Sequence, residues 1–68
     1  MISPERQELV RAVVALCERY PHWRLGQLIA NLAGWADADI WDVEDEHLLA
    51  AATAHLEQLP EQEQKASA

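Results

Sequence analysis

Apolar side chains return every three or four positions at Leu9, Val13, Leu16, Cys17 and Tyr20, with Val10 and Val14 widening the same stripe. That period is helical. Gln7, Arg11 and Glu18 fall on the opposite side. Ser3-Pro4-Glu5 supplies a start, because a serine oxygen can cap the first turn and proline suits the first helical position. Pro21 supplies a stop, since it disfavours helical geometry in the residue before it. The pattern predicts a first helix over about residues 4–20 with one broad buried face. Cys17 lies on that face, where a lone cysteine behaves as a small buried hydrophobe.

A second helix is expected over about 23–34 and has three chemically different faces. Leu25, Leu28, Ile29 and Leu32 are bulky, Gly26, Ala30 and Ala33 are small, and Arg24, Gln27 and Asn31 are polar. A helix with a bulky face and a small face can touch two neighbours, which places it at the centre of the domain. Gly26 costs up to ~1 kcal/mol relative to alanine in a helix interior, so a packing or backbone reason is expected for it. Gly34 fits the left-handed residue that terminates many helices.

Residues 35–43 read as an irregular acidic loop with a short extended piece around Ile40–Val43. The third helix spans about 44–59, its stripe being Leu48, Leu49, Ala52, Leu56 and Leu59, with His47, Ala50, Ala51 and Ala54 as a small-residue flank. Two starts compete. Glu44 can cap, with Val43 and Leu48 stapled across it, or Asp42 can cap with Asp45 three residues on. Acids in that first turn suit the helix dipole either way. Pro60 ends the helix. The following EQEQKASA has no large apolar residue and is expected to be disordered. The sum is an all-α, compact three-helix domain over residues 1–59 and a tail over 60–68.

Size sharpens this picture. Sixty-eight residues make one domain, and a single core of that size supplies roughly 3–5 kcal/mol of net stability. One cysteine excludes an internal disulfide, so self-association, as a dimer, is the expected supplement. No run of apolar residues is long enough to span a membrane, and no signal peptide is visible, which makes the cytoplasm the expected compartment. The net charge of −7 is uneven. Residues 1–34 carry Arg6, Arg11, Arg19 and Arg24 against Glu5, Glu8 and Glu18, whereas residues 35–68 carry nine acids against Lys65. Such a balance repels phosphate backbones and attracts basic surfaces. Five scattered basic residues are a poor supply for nucleic-acid binding.

Asp37, Asp39, Asp42, Glu44, Asp45 and Glu46 invite a calcium loop, but counting from Asp37 puts Trp41 where a ligand is needed and Asp42 where glycine is needed. Glu44 and His47 have the Glu-x-x-His spacing of di-iron bundles, yet no second copy exists. His22 and His55 have no acid–nucleophile partners and read as boundary or packing residues. No metal site, cofactor site or catalytic constellation is therefore expected, and the chain is not expected to be an enzyme. Three tryptophans without a phenylalanine are unusual; each would ordinarily pack into a core. Trp35 and Trp41 flank the acidic loop, however, where a tryptophan beside charges also resembles an interaction hot spot. Arg24, Gln27 and Asn31 make either a solvated face or a polar contact surface. In the latter, Arg24 anchors the acidic segment while Gln27 and Asn31 bond the following loop.

RLGQLIAN, preceded by Tyr20-Pro21 and followed by an aromatic and EDEHLL, resembles a group of short bacterial hypothetical proteins that pair an R-[FL]-G-Q-[LI]-[LIV]-x-N segment with an E-D-x-x-L-L helix start. The resemblance covers about residues 20–56. It implies that Arg24, Gly26, Gln27 and Asn31 form the distinctive surface, and it implies no catalytic role. Where the group often has serine or aspartate before the acidic turn, this chain has Glu44.

The expected function is thus a self-associating protein–protein interaction module. Its candidate contact residues are Arg24, Gln27, Asn31, Trp35, Trp41, Asp42, Glu44 and Asp45, and a basic protein is the expected partner. A helix-turn-helix regulator is the first alternative. It is weakened by a gap longer than the usual 3–4 residues between the second and third helices. An acidic mimic of nucleic acid is the other.

Overall fold

The computed structural model describes residues 2–59, and the expected disorder of residues 60–68 lies outside them. Three helices follow one another: α1 (Pro4–Arg19), α2 (Leu25–Trp35) and α3 (Asp45–Gln58). No strand occurs among the described residues. The local reasons match the sequence at the first helix. Ser3 accepts a hydrogen bond from the Arg6 amide, with Pro4 in the first turn, and the chain leaves helical geometry at Tyr20.

The main packing is α1 on α3, with α2 laid against both. This corrects the expectation that the second helix forms the centre. Leu9 and Leu16 of α1, Leu28 and Leu32 of α2 and Ala52 of α3 are the buried cluster, with Trp23, Trp35, Leu48, Leu49 and Leu56 packed around it. Two contacts fix the direction of the main pair. Arg6 meets Asp45 at the start of both helices, and Tyr20 meets His55 toward their other ends. α1 and α3 therefore run parallel, and the 25-residue connection through α2 carries the chain back to the starting end.

Several local expectations need correcting. Cys17 is exposed. Leu9 and Leu16, seven positions apart, aim at the core, and that turns Val10 and Cys17 about 100° away from it. Gly34 does not terminate α2, which runs on to Trp35. The left-handed residue is Asp37, with φ 58°. The Asp37 amide bonds the Gly34 carbonyl and the Ala38 amide bonds the Ala33 carbonyl, both near 3.0 Å, which is the Schellman pattern. Aspartate tolerates that conformation better than most residues. The Ile40–Val43 segment is a turn and not extended. Glu44 precedes α3 in extended geometry without a side-chain cap.

Gly26 has no packing reason either. A Cβ built there meets nothing within 4 Å, and its φ is not positive. Ala30 beside it is exposed. Gly26→Ala is therefore expected to stabilise the fold by about 0.5 kcal/mol, the low end for a first-turn position. Thermal melting should show a rise of a few degrees; a fall would mean that the open space is filled in solution.

Candidate functional site

The acidic end is an ordered turn. Asp39 holds it: its Oδ1 accepts from the Trp41 amide at 2.8 Å, and its carbonyl accepts from the Asp42 and Val43 amides at 3.0 Å. An aspartate mimicking a backbone turn in this way is a common device. The consequence is that Trp41 stands at the tip, 90% exposed. This overturns core packing for that ring. A shallow cavity of about 390 Å³ lies beside it, lined by Glu5, Arg6, Trp41, Asp42, Asp45 and Glu46 among others.

Parallel packing accounts for the acids at this end. The first turns of α1 and α3 lie together there, so the positive ends of both helix dipoles are at this end. Glu5, Asp45 and Glu46 sit in those turns, where the positive ends of two dipoles favour carboxylates. Arg6 Nε donates to Asp45 Oδ2 at 2.5 Å. That hydrogen bond, with the charge of Asp45, raises the Arg6 guanidinium above its already high ordinary value. His47 Nε2 lies 3.6 Å from Glu46 on the open surface, an ion pair only when the ring is protonated.

Arg24, Gln27 and Asn31 do not join this end. Arg24 is the exposed N-cap position of α2 without a side-chain capping bond, Gln27 is exposed, and Asn31 is half-buried. Among the described residues no hydrogen bond or ion pair links them to the acidic turn or the loop after α2. The anchoring expected of Arg24 is made by Arg6. Asp42 and Glu44 stay open to solvent, while Asp45 is partly covered.

Trp35 belongs to a different feature, which periodicity alone did not reveal. Its ring stacks on His55 at 3.6 Å and 8°, Tyr20 stacks on Trp23 at 4.0 Å and 5°, and Trp23 tilts toward Trp35 at 6.3 Å. Tyr20 Oη lies 2.7 Å from His55 Nε2 and ties the two stacks together. With the ring proton on Nδ1 the tyrosine donates; with it on Nε2 the histidine donates. This layer closes the far end of the α1–α3 pair. The Tyr20-Pro21-His22-Trp23 turn was the available signal, since Pro21 places two aromatics on either side of one bend.

Burial lowers the His55 pKa from its ordinary 6.5. The sign follows. Above pH 6.5 the ring is neutral in both folded and unfolded chains, and its contribution to stability is complete. As the pH falls below 6.5 the unfolded chain takes up a proton that the folded chain resists, so stability is lost. Melting temperatures of the wild type should therefore drop between pH 7.5 and 5.5, and His55→Phe should flatten that slope. An equally steep slope in the variant would place the titration elsewhere.

Among the described residues, no group of three or more His, Cys, Asp or Glu side chains is arranged to hold a metal ion. No helix there is long and apolar enough to cross a membrane. A second surface is apolar and lies between α1 and α2. Val10 is 49%, Val14 51% and Leu25 61% exposed, and together with Cys17 and Ile29 they line a groove of about 440 Å³. No family model, no curated protein and no solved structure matches this chain.

Proposed function

We propose that this chain is a protein–protein interaction module that associates with itself and offers its acidic end to a basic partner. The observation that carries the reading is Trp41, held almost wholly in water by a hydrogen-bonded turn beside Asp39, Asp42 and Glu44. A large ring at that position contributes nothing to the core, and tryptophan is among the residues that dominate binding energy when a partner covers them. The acids around it would steer a cationic surface and make its capture sensitive to salt. A nucleic-acid-reading role draws no support from α3, which carries no arginine or lysine between Asp45 and Gln58.

The test uses an arginine- and lysine-rich peptide as a generic basic partner, titrated at low and at physiological salt. Binding that weakens with salt, and weakens at least tenfold more in Trp41→Ala, is the expected result. Trp41→Ala should leave the melting temperature almost unchanged, since exposed positions away from special features count for less than about 0.5 kcal/mol. No binding at low salt, or equal binding by the variant, would remove the acidic end from the proposal.

A further inference from the structure

Val10, Val14 and Cys17 form one line along α1, at spacings of four and three, and all three face away from the core. Leu25 and Ile29 of α2 border the line on one side. On the other side stand Arg11 and Glu18, exposed and seven residues apart, which places them on the same flank of the helix two turns from each other. We propose that this face is the seat of a second copy of the chain, the two α1 helices lying antiparallel about a two-fold axis near Ala15. The proposal rests on the self-association reading above and assigns its surface.

The charges select this occupant and this direction. In an antiparallel pair related by a two-fold axis, like flanks meet. Arg11 of one copy then comes opposite Glu18 of the other, and the same contact is made twice. Val14 falls near Cys17 of the partner, so the apolar lines fill each other. Leu25 of both copies closes the opposite edge. A parallel pair would bring unlike flanks together and leave Arg11 and Glu18 without each other. The tail of this chain, EQEQKASA, has no large apolar side chain with which to fill the groove. A basic partner finds no acid in the groove lining, whose only charged side chain is Arg6. An isologous contact also fits the common solution for small soluble oligomers.

The test is a charge exchange read by sedimentation equilibrium at low salt. The wild type should approach twice its 7.7 kDa mass as concentration rises. Arg11→Glu leaves two acids facing two acids and should weaken the dimer at least tenfold, as should Glu18→Arg, which leaves four cations. The two single variants mixed one to one should recover a heterodimer, because every facing pair is then opposite in sign. Val14→Asp, an exposed position, should be monomeric and fully helical. A wild type that stays at 7.7 kDa up to millimolar concentration would defeat self-association altogether. A dimer indifferent to Val14→Asp and to both reversals would leave self-association standing and move it to another surface. Weakened single variants that do not recover on mixing would overturn the antiparallel arrangement alone.

Discussion

Leu32→Ala should leave this protein largely unfolded at room temperature. Leu32 is fully buried on α2, inside the one cluster that joins all three helices. Truncating a buried leucine costs about 2–5 kcal/mol, depending on how far the surroundings collapse into the gap. A domain of this size holds only about 3–5 kcal/mol in reserve. The buried cluster holds only four leucines and Ala52, so one leucine is a large share of it. Urea titration followed by far-ultraviolet circular dichroism reads the outcome, with Leu25→Ala as a control on the same helix at a position that is 61% exposed. A cooperative transition for Leu32→Ala with a urea midpoint close to that of the wild type would mean that the core is not where the buried cluster places it.

Trp35→Ala is expected to cost about 2–3 kcal/mol, below the figure for a fully buried tryptophan because the ring is only half covered. The variant loses the stack on His55 and the tilted contact with Trp23. It also opens His55 to water, which relieves the burial that lowers that ring's pKa. The variant should therefore be both less stable and less sensitive to pH between 7.5 and 5.5. Trp41→Ala separates this effect from the mere loss of an indole, since Trp41 touches solvent and should be neutral. Equal destabilisation by the two substitutions would contradict the assignment of one tryptophan to the aromatic layer and the other to the surface.

The helices were legible because their signals are local. Ser3-Pro4 and Pro21 bracket α1, and the three-and-four spacing of leucines marks α2 and α3. What failed was direction around each helix axis. Periodicity showed that Leu9 through Tyr20 has an apolar side, but a stripe that wide holds two lines, and only tertiary packing decides that Leu16 goes in while Cys17 stays out. Gly34 misled for a related reason. Glycine is the usual left-handed terminator, yet α2 continues one residue further because Trp35 is held by His55, and Asp37 takes the turn instead. Of the eight candidate contact residues, the sequence separated none by environment. The structure leaves Trp41, Asp42 and Glu44 open on one turn, commits Asp45 to Arg6, commits Trp35 to the aromatic layer and keeps Arg24, Gln27 and Asn31 elsewhere. Contacts such as Arg6 with Asp45, 39 residues apart, have no local signature at all.

Because the first and last helices point the same way, the described residues begin at one pole of the domain and end near the other. Copies fused in series would stack like links without doubling back. Joining the two poles to make a circular permutant would require a bridge of roughly 24 Å, the length of α1, or at least about seven extended residues.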